Sequence, residues 1–237
     1  MIQRRDVKAF QRKTGAYKPI HWPWTIKDIR AHLDGRTTLG HYLVDESDKT
    51  RVVAFDIDFD EDFPSSVGDV NPREVFNEPD HPANLELTRY LRCMGDGLVW
   101  LLHRNYPTVK ALCTFSGSKG LHVYGTFGGT TTAQAARDVA LTTMASLGKM
   151  EHFTASKGTN FYKATEYPHL TIEVFPKQDS IATGGFGNLL RLPLGVNQKT
   201  GREGFFYDLG APIDQLVPTD PIQTLEQGSI AMRSRSK

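Results

Sequence analysis

Two carboxylates spaced one residue apart inside an apolar run, Phe55-Asp56-Ile57-Asp58-Phe59, are the first feature of this 237-residue chain that could do chemistry. In an extended strand alternate side chains share a face, so Asp56 and Asp58 point one way while Phe55 and Ile57 pack beneath. Neighbouring carboxylates repel each other, and a bound divalent cation relieves the repulsion. Oxygen ligands at about 2.1 Å suit Mg²⁺, whose shell substrate phosphates can complete. Two such ions roughly 3.5–4 Å apart activate an attacking hydroxyl and stabilise a leaving pyrophosphate. Asp60 continues the alternation and competes for the same role. The rival reading of so short a motif is an acidic strand end facing water.

The second feature is the turn Ser116-Gly117-Ser118-Lys119-Gly120, set between two apolar runs and followed by His122. Glycines let backbone approach a phosphate closely, and successive N–H groups in such a turn form an anion-binding nest. The serine hydroxyls and Lys119 add donors and a positive charge. His122 is placed to contact a triphosphate or to protonate departing pyrophosphate. A tight hairpin turn with a hydrogen-bonded strand histidine is the plainer alternative.

Glu173 sits singly in the apolar stretch Thr171 to Phe175, where a shared metal, a salt bridge or an exposed strand face would account for it. Arg191 alternates with apolar residues in Asn188 to Leu192 and is expected to project toward a negative group, a triphosphate or a structural carboxylate. Lys199 and Arg202 lie in a turn, with solvation as their simplest reading.

These residues need elements to hold them. Thr25 reads as the N-cap of a short helix through Ile26, Ile29 and Leu33. Strands are expected at His41 to Val44, Val52 to Phe55, Val109 to Phe115, Leu121 to Phe127, Leu170 to Phe175, Asn188 to Leu192 and Gly204 to Tyr207. Helical spacing covers Leu85 to Tyr106, weakened by Gly95 and Gly97, and Thr132 to Leu147. The Pro-, Asp- and Asn-rich stretch Phe63 to Ala83 is expected to be an exposed loop. The division is a basic, aromatic arm and helix over 1–36, a catalytic core over 37–210, and a C-terminal tail over 211–237 that starts a linker and frays at its end. In the arm, Trp22 and Trp24 are expected to pack into a core, with stacking on template bases as the alternative. Strands mixed with helices give an α/β or α+β fold, pairing undetermined.

Composition narrows the function classes. Lys and Arg total 28 against 27 Asp and Glu, so net charge gives no argument for nucleic-acid binding, and local patches must carry it. Acidic residues crowd Asp56 to Asp80 against a single arginine, Arg73, whereas basic groups gather in the arm, the glycine turn and the region after Lys177. The two cysteines, Cys93 and Cys113, form no CxxC pair, so neither zinc nor a disulfide framework is expected. No apolar run reaches membrane-spanning length and the N-terminus lacks a signal-peptide core, so the expectation is a cytoplasmic protein with no membrane partner.

With these motifs in hand, the chain resembles the archaeo-eukaryotic primase superfamily. FDID resembles its first metal-binding motif. SGSKGLHVY resembles its serine-to-histidine nucleotide-binding motif, as found in the polymerase domain of bacterial end-joining ligases. IEVFPKQ followed by GNLLRLPLG, and the lead-in TTLGHYLVDESDKTRVVAFDID, are similar to primase-polymerases of the mobile-element and CRISPR-associated type. The resemblance runs from about Thr37 to Tyr207 in the family's motif order.

It implies two α/β modules, one similar to an RNA-recognition-motif fold, with the active site between them. It implies Asp56, Asp58 and Glu173 as ligands of two Mg²⁺ or Mn²⁺ ions, the glutamate standing where many relatives have aspartate. It further implies phosphate contacts from Ser116, Gly117, Ser118, Lys119, His122 and Arg191. The expected partners are a single-stranded DNA template with primer and dNTPs or NTPs, with a helicase or other domain of a longer protein or operon beside them. No helicase, ligase or nuclease portion is visible, which fits a catalytic domain cut from something longer. The expected activity is template-directed nucleotidyl transfer. A metal-dependent nuclease or phosphodiesterase, and a non-catalytic nucleic-acid-binding module of the replication-initiator kind, are the alternatives.

Overall fold

The structure, a computed structural model, describes residues 6–148, 150–154, 160–164 and 169–227. It opens with a hairpin of β1 (Lys8–Gln11) and β2 (Tyr17–Ile20), followed by α1 (Ile26–Leu33). The predicted cap of α1 is a full capping box: the Asp28 N–H donates to the Thr25 hydroxyl, and the Thr25 N–H donates to the Asp28 carboxylate. Next come β3 (Leu39–Tyr42) and the long β4 (Lys49–Phe59), whose valines, isoleucine and phenylalanines favour a pleated, half-buried surface.

The expected loop over 63–83 is largely structured instead. It holds a small hairpin, β5 (Phe63–Ser65) and β6 (Gly68–Val70), and a short helix α2 (Pro72–Asn77). Turn-forming residues suggested a loop, but Asn71-Pro72 is also a helix start: Asn71 caps, and proline loses nothing in the first turn. Phe63, Val75 and Phe76 are buried and dock the segment.

The remaining elements are α3 (Asn84–Asn105), β7 (Lys110–Phe115), β8 (Gly120–Thr132), α4 (Ala133–Ser146), β9 (Met150–Thr154), β10 (Asn160–Ala164), β11 (Leu170–Phe175), β12 (Leu189–Arg191), β13 (Phe205–Phe206) and α5 (Pro221–Gln227). All strand pairs are antiparallel. Seven strands run β13-β7-β8-β4-β11-β10-β9, and four more form a second sheet, β12-β3-β1-β2. The predicted arm thus supplies two strands of the second sheet. Arg4 and Arg5 lie outside the described residues.

Alternation along β4 decides the layering. Val53, Phe55, Ile57 and Phe59 join Leu121, Val123, Ile172 and Val174 under α3 and α4 in the main core. The other face turns Val52, Ala54, Tyr124 and Phe175 toward Leu190 of the second sheet. The fold is therefore α+β, as the resemblance implies: helices, a seven-stranded sheet, then a smaller sheet.

One expectation changes. Trp22 is 70% exposed rather than packed in a core, and Trp24 is half-buried, its indole N–H donating to Val7 O at 3.1 Å. The start of the predicted tail is anchored to the core: the buried Arg92 pairs with Asp96 and donates to the carbonyls of Leu209, Ala211, Pro212 and Gln215. The closing MRSRSK lies outside the described residues.

Candidate active site

Strand register assembles the acidic half of the site. β4 is the central strand of seven, and Asp56 lies opposite His122 on β8 and Glu173 on β11. Asp58, two residues on, lies opposite Gly120 and Thr171. Both neighbours hold the β4 backbone, so the carboxylates stand on a rigid floor. They open into a cleft of about 450 Å³ between the two sheets, which Glu173, His122, Ser116, Ser118, Lys119 and Arg191 also line.

The electrostatics of the pair are unusual. Asp56 Oδ1 is buried with no hydrogen-bond partner, and His122 Nε2 lies 3.3 Å from it. Burial first, and the Asp56 charge second, push the Asp58 carboxyl from 3.8 up to about 8, with Lys119 and Arg73 pulling the other way. Gly120 is glycine for a reason visible here: a Cβ would collide with Asp58 Oδ1 and Ile57 O. Asp60 leaves the group. Its carboxylate sits 3.4 Å from Lys163 Nζ and 3.8 Å from His169 Nδ1.

Glu173 reaches the cleft but gives its Oε1 to Lys177, which also lies over the Phe175 ring at 4.7 Å. Burial raises the Glu173 carboxyl, with the Lys177 hydrogen bond opposing.

The predicted phosphate turn is a closed loop in which Ser116 N–H donates to Gly120 O at 3.0 Å and Ser118 N–H to Ser116 Oγ at 3.3 Å. Gly117 takes a left-handed backbone (φ 70°), and a Cβ there would lie 2.6 Å from Arg202 O. Two cations expected to face a ligand are occupied by backbone. Lys119 Nζ donates to Phe59 O, and the Arg191 guanidinium donates to Ser116 O, Leu194 O and Gly195 O. Arg191 thus braces the phosphate turn against the loop after β12. Of its nitrogens, only Nε is buried without a partner.

His122 is held by a residue that sequence reasoning quoted without a role. Tyr124, two residues on and on the same strand face, donates its hydroxyl to Arg191 O at 2.6 Å and lies 3.2 Å from His122 Nδ1. A hydroxyl has one hydrogen, so His122 Nδ1 carries the proton of this contact and Nε2 is left facing the cleft.

Other lining residues came from stretches read as loop or arm. Arg73 on α2 forms a two-pronged pair with Glu61 beside the carboxylates. The β1–β2 hairpin contributes Gln11, Thr14, Gly15 and Tyr17; the Tyr17 hydroxyl is buried without a partner and pushed up to about 12, chiefly by burial. Local composition could not reveal these, because the contacts join distant segments.

Asp56 and Asp58 fit a divalent cation: one has an orphaned buried oxygen, the other a carboxyl that burial and its neighbour keep protonated. Among the described residues no three His, Cys, Asp or Glu side chains form a ready cage, so phosphates or water would complete the shell. Among those residues, too, no helix is long and apolar enough to cross a membrane.

A family model described as "TOTE conflict system, Archaeo-Eukaryotic Primase domain" matches residues 2–230. No curated protein matches the chain.

Proposed function

The chain belongs to the archaeo-eukaryotic primase domain family of TOTE conflict systems, within the primase-like nucleotidyltransferases, and from that premise we propose that it joins nucleotides on a single-stranded DNA template. The observation that supports this reading best is the common cleft. Asp56, Asp58, His122 and the Ser116–Gly120 turn face one volume of about 450 Å³, within the range that holds a nucleotide-sized ligand.

In this proposal Asp56 and Asp58 hold Mg²⁺ or Mn²⁺. When bound, the cation neutralises triphosphate charge and lowers the pKa of the attacking hydroxyl. Ser116 and Ser118 donate to the phosphates of a dNTP or NTP, while Lys119 stays beside Asp58 and offsets its charge. His122, once it has also taken up a proton at Nε2, delivers that proton to the departing pyrophosphate, its orientation fixed by the Nδ1 contact with Tyr124. Glu173 joins the acidic pair by releasing Lys177, whose ammonium then meets phosphate. Arg191 keeps the turn in place. A helicase or other domain working on the same nucleic acid is the expected company.

The test is incorporation of labelled dNTP or NTP on a single-stranded template, with and without primer, in Mg²⁺ and in Mn²⁺. Asp56→Ala with Asp58→Ala is expected to lower incorporation by at least about a hundredfold while DNA binding persists. Cleavage of the template without triphosphate would assign the carboxylates to a nuclease. A wild-type chain that binds DNA yet never incorporates would leave only a binding module.

A further inference from the structure

Most cations of the cleft are spent on protein groups: Arg73 on Glu61, Lys119 on Phe59 O, Lys177 on Glu173 and Arg191 on three carbonyls. A different set sits at the mouth. The β1–β2 turn closes through Arg12 N–H to Ala16 O and Gly15 N–H to Arg12 O, both 2.8 Å, and holds Arg12 and Lys13 exposed at its tip. Beside it a second turn closes through Gly201 N–H to Asn197 O at 2.7 Å and holds Lys199 exposed. The turns touch, since a Cβ on Gly15 would lie 3.6 Å from Lys199 Cδ. They are also tied, with Gln198 N–H donating to Gln11 Oε1 at 3.2 Å. Among the described residues no carboxylate lies at ion-pair distance from Arg12, Lys13 or Lys199, although the Lys199 charge, after Arg73 and Lys119, helps to lower the Glu61 carboxyl.

This lip continues into the cleft. Gln11, Thr14, Asn197 and Lys199 line it, and Thr200 Oγ donates to Gly117 O at 2.5 Å, joining the lip to the phosphate turn. Deeper along the same hairpin stands the unpartnered Tyr17 hydroxyl. The lip is therefore a run of free positive charge, then neutral donors, leading toward the carboxylates. A mononucleotide whose phosphates sit at the Ser116–Gly120 turn leaves the tip cations unused. A chain with repeating negative charge does not.

Resting on the polymerase reading, we infer that the two turns form a clamp for the sugar–phosphate backbone of a single polynucleotide strand entering the cleft. Such contacts fix a strand's register and are indifferent to base sequence. Each phosphate neutralised on single-stranded nucleic acid releases counterion, adding roughly 0.7 to the slope of log affinity against log salt.

The experiment measures binding of fluorescein-labelled oligothymidylate to the full chain across a salt series, without divalent metal. Arg12→Gln, Lys13→Gln and Lys199→Gln together are expected to weaken binding at least about tenfold and to reduce the salt slope by about 2. Arg12→Lys, Lys13→Arg and Lys199→Arg together should restore both. Binding of the metal–dNTP complex should stay at the wild-type level in Arg12→Gln with Lys13→Gln, which leaves every lining residue of the cleft in place. An unchanged oligonucleotide affinity and slope in the glutamine variant overturns the clamp, as does polyglutamate competing as well as oligothymidylate at equal charge. Failure of the polymerase reading is separate: it shows as absent incorporation by the wild type, with the salt-dependent binding intact.

Discussion

Asp56 and Asp58 share one face of β4, but their surroundings give them different states. The Asp58 carboxyl, raised to about 8, keeps its proton at neutral pH, whereas a metal needs the carboxylate. Divalent-cation affinity should therefore weaken about tenfold per pH unit below pH 8 and level off above it, as read by isothermal titration. The sign for stability follows. The folded chain binds a proton that the unfolded chain has lost above 3.8, so the metal-free fold loses stability as pH rises from about 4 to 8, and added Mg²⁺ should offset the loss. Tyr17 makes the opposite kind of test. Its buried hydroxyl has no partner, so Tyr17→Phe should leave the melting temperature unchanged or raised, by up to about 1 kcal/mol of stability, while weakening nucleotide binding. A lower melting temperature with unchanged binding would show that the hydroxyl serves the fold.

At the scale of elements, α3 shows why a glycine that weakens a helix can be required. A Cβ on Gly95 would lie 2.9 Å from both Leu121 Cδ1 and the Tyr207 hydroxyl, so this turn of helix packs directly on β8 and the segment after β13. Alanine gains about 1 kcal/mol of helix propensity but overpacks by about 1–3 kcal/mol. Gly95→Ala should therefore destabilise, measured by urea unfolding. Gly97→Ala meets only the flexible end of Leu147 at 3.2 Å and should be neutral or stabilising. Helices α1, α3 and α4, the cap at Thr25 and seven of the described strands were readable, because period and capping are local. The α2 helix was misread because Asn71-Pro72 starts a helix as readily as a loop, and only burial of Val75 and Phe76 decides between them.

At the scale of the molecule, the second sheet is tied to α1 through a buried histidine and holds another. His32 receives the Leu39 N–H at Nδ1 (3.1 Å) and donates from Nε2 to Pro193 O (3.0 Å), so it must be neutral to link α1, β3 and the loop after β12. Burial lowers its pKa, and pushes that of the fully buried His41 down to about 3. In the unfolded chain these rings take protons below about 6.5. Stability is thus lost as pH falls from 6.5 toward 3, by roughly 1 kcal/mol per pH unit from His41. The wild-type advantage over His41→Leu in urea midpoint should therefore be smaller at pH 5 than at pH 7, since the variant lacks this loss while Asp58 acts equally in both. Asp58 acts in the other direction with a similar slope, so in the metal-free chain the two effects offset each other between about pH 4 and 6.5, and above about pH 6.5 only the Asp58 loss remains.

The one-dimensional pattern determined what this chain could carry: carboxylates on one face of an apolar strand, a glycine turn bearing hydroxyls, and the order of motifs that links it to primases. Each motif depends on residues within a few positions of one another, and their order is read along the chain. Which strands flank Asp56, and which cations remain free, were decided only by tertiary structure. Arg191 and Lys119 look like phosphate ligands in sequence, yet carbonyls occupy them, Phe59 O for Lys119 and, for Arg191, the distant Ser116 O beside the nearby Leu194 O and Gly195 O. Arg12 and Lys13 belong to the basic arm in sequence, and the fold sets their turn beside Lys199 and between Gln11 and Thr14, which line the cleft. A side chain's hydrogen-bond commitments are set by groups far along the chain, and no local spacing encodes them.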